Sequence, residues 1–158
     1  MRAKTAKIRP ARADPLYQSV ELNQLVNRVM FDGKKSVALK QVYQALTIIK
    51  ESGQTDPLAV FNQAIANIIP KMEVRSRRVG GAAYQVPMPV RPRRAFALAV
   101  RWLVIEARKR SSAEYHTFAA KLAAELLDAV KNEGGSVQKK LTTHKMAEAN
   151  KAFAHFRW

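Results

Sequence analysis

The residues best suited to chemistry in this sequence are arginines, which are concentrated in one acid-free stretch. Residues 74–105 contain seven arginines and neither aspartate nor glutamate. They are Arg75, Arg77, Arg78, Arg91, Arg93, Arg94 and Arg101. A guanidinium group offers a planar fork of hydrogen-bond donors that matches phosphate oxygens, whereas a lysine ammonium acts as a point charge. The stretch therefore predicts contacts with a phosphate-bearing partner.

A second basic cluster lies at the amino terminus. Residues 1–13 also lack acidic residues, and they contain Arg2, Lys4, Lys7, Arg9 and Arg12. The chain of 158 residues has a net charge of +16 and a sequence pI near 10.6. A merely solvated surface would mix charges of both signs to limit self-repulsion. The distribution therefore indicates a polyanionic partner, with nucleic acid as the first hypothesis.

Nothing in the sequence favours catalysis, a metal site or another cofactor. The twelve acidic residues are scattered singly, and the VGG at 79–81 lacks the strand-to-helix context of a phosphate-cradling loop. There is no cysteine, and no two of the three histidines have the i, i+4 spacing of a helical ligand pair. We therefore expect a protein that is not an enzyme and holds no cofactor. Turnover measured without nucleic acid would contradict this.

A membrane partner is not expected either. The longest uncharged run near the middle of the chain, PLAVFNQAIANIIP, is too short and too rich in Asn and Gln to span a bilayer. The amino terminus is basic but has neither an apolar segment nor a cleavage-site pattern. These features predict neither a membrane span nor a secretory signal.

Helical periodicity places most of these basic residues on or between α-helices. Apolar residues recur with a helical period in the first five of these helices, so each of the five buries one face, whereas the last helix is polar. Six helices are predicted. The first is capped by Ser19 and ended by Asp32 and Gly33, the second runs from about Ser36 to Glu51, and the third is begun by Asp56 and Pro57 and closed by Pro70. The fourth runs from Pro92 to about Arg110, the fifth is begun by a capping box at Ser111 and Glu114 and continues through Val130, and the sixth is capped by Ser136. Arg94, Arg101 and Arg108 recur every seven residues on another side of the fourth helix.

Between the third and fourth helices the apolar period changes from helical to two. Residues 72–79 and 84–90 alternate, and the glycine pair at 80–81 marks a turn, which together predict a β-hairpin. A strict two-residue turn would pair Arg77 with Tyr84 and place the two apolar rows on opposite faces. We therefore predict a bulge or a three-residue loop that brings the rows together.

Two spaced prolines limit this hairpin to two strands. Pro87 and Pro89 are two residues apart, so both lack N–H donors on the same edge, where no third strand can pair. A two-stranded ribbon standing alone is marginally stable in water. We therefore expect the ribbon to gain its rigidity from a bound partner.

The predicted fold is mainly α, with a six-helix body and a protruding two-stranded β-hairpin arm between the third and fourth helices. Residues 1–15 mix Arg, Lys, Ala and Pro without a period, which predicts a basic, flexible N-terminal arm that becomes ordered against a charged partner. Residues 16–158 are predicted to form a single helical domain, in which the hairpin arm covers about residues 72–90. Order is expected to begin near Tyr17.

Five segments of the chain are similar to one known family. They are DGKKSVA, RSRRVGGAAYQVPMPVRPRR, ALAVRW, EARKR and MAEANKAFAHFRW, and they follow one another over nearly the whole length. In these segments the chain resembles the bacterial-type family of small-ribosomal-subunit protein seven. The resemblance implies a helical body with a protruding hairpin, which agrees with the fold predicted from periodicity.

The resemblance also implies a function, a location and a set of partners. It implies a structural constituent of the small ribosomal subunit, a primary ribosomal RNA-binding protein that nucleates assembly of the head domain and lies near the transfer RNA exit site. The implied partners are the head domain of small-subunit ribosomal RNA, transfer RNA and messenger RNA near the exit site, and the neighbouring small-subunit proteins nine and eleven. The implied location is a cytoplasmic ribosome, and an organelle ribosome is left open.

The family's RNA-binding surface can be carried over residue by residue. It comprises the N-terminal arm, the turn after the first helix, the hairpin and the start of the fourth helix. The implied ribosomal RNA-binding residues are Arg2, Lys4, Lys7, Arg9, Arg12, Lys34, Lys35, Arg75, Arg77, Arg78, Arg91, Arg93, Arg94 and Arg101. The hairpin tip with Arg78, Gly80 and Gly81 is implied to lie near transfer RNA.

Two other classes of protein fit parts of the sequence. An architectural DNA-binding protein would use the basic β-arm to wrap duplex DNA, and would prefer it to folded ribosomal RNA at moderate salt. A helical protein-interaction module would bind a protein tightly and RNA negligibly, although the acid-free arm argues against this as the sole role.

Four aromatic side chains could stack on unpaired bases of a bound RNA, namely Tyr84, Phe153, Phe156 and Trp158. Tyr84 could equally belong to the hairpin core.

Overall fold

Six α-helices, one β-hairpin and a short 3-10 helix follow one another along residues 10–156, the part of the chain that this computed structural model describes, except for the side chain of Val79. The elements are α1 (Val20–Val29), α2 (Lys35–Glu51), α3 (Pro57–Ile68), β1 (Met72–Val79), β2 (Ala82–Pro89), α4 (Pro92–Lys109), α5 (Phe118–Val130), α6 (Gly134–Ala149) and a C-terminal 3-10 helix (Lys151–Phe156). The hairpin has two strands, as the prolines predicted. The mainly α fold with a hairpin between the third and fourth helices is confirmed.

Local capping groups fix where two of the helices begin. Ser19 Oγ accepts a hydrogen bond from the Leu22 amide at 3.2 Å. Asp56 Oδ1 accepts hydrogen bonds from the amides of Leu58 and Ala59 at 2.9 and 3.2 Å. These bonds satisfy amide groups that the first turn of a helix leaves without a partner. Both caps agree with the sequence prediction.

The predicted apolar stripes meet in one core, in which α5 packs against α2, α3 and α4. The largest fully buried apolar side chains are Leu22, Leu25, Leu46, Ile49, Phe61, Ile68, Leu103, Leu122 and Leu126. Burying a side chain of this size contributes roughly 1.5–3 kcal/mol. This core fixes the helix ends that carry the basic residues. No helix within residues 10–156 is long and apolar enough to cross a membrane.

The fifth helix begins later than predicted. Ser111 Oγ accepts a hydrogen bond from the Ala113 amide at 3.2 Å in a local turn between α4 and α5. Thr117 is the residue that caps α5, because its Oγ1 accepts a hydrogen bond from the Ala120 amide at 3.2 Å. The predicted capping box at Ser111 and Glu114 is therefore wrong.

The sixth helix begins at Gly134, so the prediction that Ser136 caps it is wrong. Ser136 lies inside α6 and is buried, and its amide and Oγ donate to Glu125 Oε1 at 2.8 and 2.7 Å. Arg110 donates to the other oxygen, Glu125 Oε2, from Nε at 2.9 Å and from Nη2 at 2.7 Å. One buried carboxylate of α5 thus joins the end of α4 to the start of α6.

The hairpin closes through a strict two-residue turn, so the predicted bulge or three-residue loop is wrong. Arg77 lies opposite Tyr84, and the pairing continues without a break over all eight residues of each strand. Gly80 and Gly81 have φ angles of 56° and 88°. A two-residue type I′ turn requires these left-handed values at both positions.

Burial of both faces at the base of the hairpin explains why a bulge is unnecessary. Val86 and Pro87 are adjacent on β2, so their side chains lie on opposite faces, and both are buried. The helix α6 and the C-terminal 3-10 helix pack against the hairpin. The two apolar rows can therefore occupy opposite faces. The chain's own C-terminal segment therefore packs against the base of the hairpin, and the expectation that a bound partner gives the ribbon its rigidity stays a prediction.

Residues 10–15, the described part of the predicted N-terminal arm, already contact the helical body. The Arg12 carbonyl accepts a hydrogen bond from Asn23 Nδ2 at 2.7 Å. Asp14 is 1% exposed, and its Oδ1 accepts a hydrogen bond from the Tyr43 hydroxyl at 2.9 Å. Contacts with the body therefore begin before Tyr17.

Candidate nucleic-acid interface

Two helices begin at basic residues instead of capping side chains. Lys34 precedes α2 and Arg91 precedes α4, and within the described chain neither helix has a side-chain cap or an acidic residue in its first turn. Ser19, Asp56 and Thr117, by contrast, cap α1, α3 and α5. Free amides and the helix dipole make the start of a helix partly positive, so added cations are unfavourable there and an anion is favourable. Both starts are therefore suited to an anion.

Most of the described candidate residues are exposed. The exposed candidates are Arg12, Lys34, Lys35, Arg75, Arg78, Arg91, Arg93, Arg94 and Arg101. Arg77 is half-buried. Arg2, Lys4, Lys7 and Arg9 lie outside the described residues.

A buried acid joins the base of the hairpin to the start of α4. Glu73 on β1 is 6% exposed. Arg75 Nη2 lies 2.5 Å from Glu73 Oε1, and Arg94 Nε lies 3.2 Å from Oε2. The side chains of both arginines are about half exposed. One carboxylate thus orients a guanidinium from the hairpin and another from the helix while leaving both accessible from outside.

A row of arginines continues along α4 from this ion pair. Arg94, Arg101 and Arg108 are seven residues apart, which corresponds to almost two helical turns and about 10 Å of rise between neighbours. Arg101 lines the same shallow groove as Arg28 of α1. Burial, and then the charge of Arg28, lower the pKa of Arg108. The row therefore carries concentrated positive charge from the hairpin base toward the end of α1.

The α1–α2 turn is tied to the N-terminal segment through one amide side chain. Asn23 Nδ2 donates to the Arg12 carbonyl, and Asn23 Oδ1 accepts a hydrogen bond from Lys35 Nζ at 2.9 Å. Asp32 and Gly33 in the intervening turn have positive φ angles of 48° and 73°. Asn23, which is buried, therefore holds the backbone of Arg12 and the ammonium group of Lys35 close together.

The hairpin tip is a separate end of the candidate interface. Seven residues separate Glu73 from Gly80, and a strand rises about 3.3 Å per residue, so the tip lies roughly 20 Å from the ion pair. Arg78, Gly80 and Gly81 at the tip are exposed. The structure thus groups the arm base, the α4 row and the α1–α2 turn, and it sets the tip residues apart from them.

Three of the aromatic residues predicted as candidates for base stacking contact one another within the protein. The Tyr84 ring lies 5.3 Å from the Phe153 ring and 5.1 Å from the Phe156 ring, measured between centroids. Tyr84 thus packs against the C-terminal 3-10 helix and is half-buried. Trp158 lies outside the described residues.

Sequence reasoning missed three residues of this surface. Glu73 stands immediately before the acid-free stretch, and its position next to an arginine-rich strand was the available signal. Arg108 was noticed for its seven-residue spacing but was not assigned to the surface. Arg28 is a single basic residue on α1, and no local pattern marks it.

Comparisons with known proteins relate the whole sequence to one family. A profile of the family described as "Ribosomal protein S7p/S5e" matches residues 1–151. A protein of Thermoanaerobacter sp. (strain X514) is 58% identical over 145 residues, which cover 92% of this chain and 91% of the relative. A Moorella thermoacetica protein is 55% identical over 150 residues, covering 95% and 94%. A Lactococcus lactis subsp. cremoris protein is 52% identical over 158 residues, covering all of both chains.

Each of these three relatives is named "Small ribosomal subunit protein uS7". The matches identify the chain as a ribosomal protein, a class that is not one of enzymes. Within that class, the chain belongs to the ribosomal protein S7p/S5e family. The family resemblance found in the sequence is confirmed.

Proposed function

We propose that this protein is a structural constituent of the small ribosomal subunit and binds small-subunit ribosomal RNA directly, nucleating assembly of the head domain. The names of its relatives support a place in the small ribosomal subunit. The observation that supports direct RNA binding is the pair of helix starts at which Lys34 and Arg91 occupy the positions of capping residues. An isolated protein would gain stability from capping groups there, so the basic residues favour an external anion.

Phosphate groups of folded RNA are the anions that this surface fits. Arg94 and Arg75 are fixed from one side by Glu73 and remain half exposed, so they can bind phosphate without losing the ion pair. Guanidinium groups suit phosphate oxygens because their donors form a planar fork. The deep, narrow major groove of A-form RNA hides base edges from side chains, so recognition is expected to follow the shape of the RNA.

The remaining partners follow from the family resemblance. We propose that the hairpin tip with Arg78, Gly80 and Gly81 lies near transfer RNA and messenger RNA at the exit site, and that the small-subunit proteins nine and eleven are neighbours. The proposed location is the ribosome, in the cytoplasm or in an organelle. The alternative of an architectural DNA-binding protein has no support from the family match.

The test is equilibrium binding of the purified protein to a transcript of the head domain of small-subunit ribosomal RNA. Equal masses of duplex DNA and of an unrelated structured RNA are the competitors, and each is measured across a salt series. We expect tight, selective binding to the head-domain transcript that persists at physiological salt. Equal affinity for all three, falling together as salt rises, would reduce the proposal to non-specific charge attraction.

A further inference from the structure

We infer that an apolar groove beside the α1–α2 turn binds an unpaired nucleobase of the RNA. This inference rests on the proposed RNA-binding function and adds a base-binding site to a surface otherwise made of phosphate-binding groups. The groove has a volume of about 320 Å³, within the range of small-ligand sites. Its apolar walls are formed by Val29, Val37, Ala38 and Phe118.

An exposed aromatic ring stands in this groove. Phe31 is 63% exposed, although burying a phenylalanine side chain is worth roughly 1.5–3 kcal/mol. The guanidinium of Arg108 lies 4.0 Å from the centroid of the Phe31 ring. Arg108 is held in this place because its Nη2 donates to the Val29 carbonyl at 3.0 Å. The ring is thus positioned by a cation and still offers surface to a second flat group.

The charges around the groove favour a nucleotide as the occupant. Lys34 and Arg108 line it, and none of its lining side chains among the described residues is acidic. Arg28 lies close enough to Arg108 to lower its pKa. A nucleotide combines a flat base, which stacks on aromatic rings and guanidinium planes, with a phosphate that pairs with these cations. An apolar protein segment would bury the same walls but would leave the cations without anions.

The position of the groove is continuous with the proposed RNA-binding surface. Lys34 both lines the groove and precedes the uncapped start of α2. Arg108 is the last member of the arginine row on α4. An RNA strand bound along this row therefore reaches the groove without leaving the basic surface.

The experiment compares Phe31→Ala with the wild-type protein in binding the head-domain transcript over a salt series. We expect the variant to bind about 10-fold more weakly, the size of one base-stacking contact. The dependence of log affinity on log salt should be unchanged, because a phenylalanine contacts no phosphate. Leu141→Ala is the matched control, since Leu141 is a 43% exposed apolar residue of α6 outside the groove, and we expect it to bind as the wild type does.

A second variant gives a direct signal of stacking. Phe31→Trp should show fluorescence quenching when the transcript is added, beyond the change that the native tryptophans give in the wild type. Tight wild-type binding together with unchanged affinity of Phe31→Ala would overturn the base site and leave the proposed function standing. If Phe31→Ala bound small-subunit proteins more weakly but kept its affinity for RNA, the groove would be a protein-binding site, which would also overturn the inference. Non-selective binding by the wild type would overturn both.

Discussion

Tyr84 on β2 and Phe153 in the C-terminal 3-10 helix pack with their ring centroids 5.3 Å apart, so the end of the chain supports the hairpin. Because an aromatic pair contributes about 0.5–1.5 kcal/mol beyond burial, we expect Tyr84→Ala to loosen the hairpin selectively. Amide hydrogen exchange should become faster in residues 72–89 while the melting temperature of the helical core changes little.

Met146→Ala is the control for this hairpin prediction, since Met146 is a 48% exposed residue of α6. It should leave exchange in the hairpin unchanged. If Tyr84→Ala also leaves that exchange unchanged, the C-terminal segment does not support the hairpin.

The hairpin arginines should bind phosphate groups of the RNA. We expect the combined change of Arg75, Arg77 and Arg78 to Ala to keep the helical body folded and to weaken binding to the head-domain transcript. The salt slope should fall by roughly one unit for each phosphate group that the variant no longer neutralises. Affinity measured across a salt series checks both effects.

A second triple variant separates specific binding from net charge. Lys131, Lys139 and Lys145 are exposed and lie outside the candidate interface, and changing them to Ala removes the same formal charge. This variant should lose much less affinity than the arginine variant. Equal losses in the two variants would show that overall charge, and not the hairpin arm, determines binding.

Asp14 should stabilise the fold even though it lies in the predicted N-terminal arm. Its Oδ2 accepts hydrogen bonds from the amides of Leu16 and Tyr17 at 3.2 and 3.1 Å, and its carboxylate also binds the Tyr43 hydroxyl. We expect Asp14→Ala to lower the free energy of unfolding by about 2 kcal/mol, because it leaves several donors without an acceptor. Chemical denaturation measures this, and Glu51→Ala at an exposed acid of α2 is the control, which should change little.

The ionisation of Tyr43 gives an independent check on the same contact. Burial, followed by the hydrogen bond with Asp14 and the charge of Asp14, raises the pKa of Tyr43 from 10.0 to about 12. The folded protein therefore holds this proton more tightly than the unfolded chain, so the associated stability is present below pH 10 and is lost as the pH rises toward 12. Asp14→Ala should move the tyrosine absorbance titration to lower pH. An identical titration would contradict the coupling.

His144 should make stability fall in mild acid. The Lys71 amide donates to His144 Nε2 at 3.0 Å, which requires that ring nitrogen to be unprotonated. Burial, followed by the charges of Lys140 and Lys71, lowers the pKa of His144 from 6.5. The unfolded chain therefore takes up the proton first as the pH falls. The associated stability is present above pH 6.5 and is lost below it, as the pH falls through the pKa of the folded protein.

The measurement is the free energy of unfolding at several pH values above and below pH 6.5, the ordinary pKa of histidine. His144→Gln removes the titrating ring, so its stability should fall less steeply with acid than that of the wild type. His116→Gln, which changes an exposed histidine before α5, is the matched control for replacing a histidine by glutamine. Equal slopes for wild type and His144→Gln would contradict the prediction.

Much of the fold could be predicted because its signals act within a few residues. Ser19 and Asp56 cap helices through amides two or three positions away, and the apolar stripes of α1–α5 follow from helical periodicity alone. The turn at 80–81 was found from its glycines, yet its register was predicted wrongly. The buried faces around Val86 are created by α6 and the C-terminal 3-10 helix, which are distant in sequence.

The order of the amino acids shows which residues of the candidate site are basic and that most of them are arginine. Which of these residues lie close together depends on how the helices and the hairpin pack. Glu73 joins Arg75 to Arg94, and Arg94 lies 21 residues beyond Glu73 along the chain. Asn23 joins Arg12 to Lys35, and Glu125 binds Ser136, a residue that the sequence predicts as a helix cap. The physical reason is that capping and periodicity depend on neighbours along the chain, whereas an ion pair or a buried hydrogen bond depends on which distant segments the packed core brings within about 3 Å.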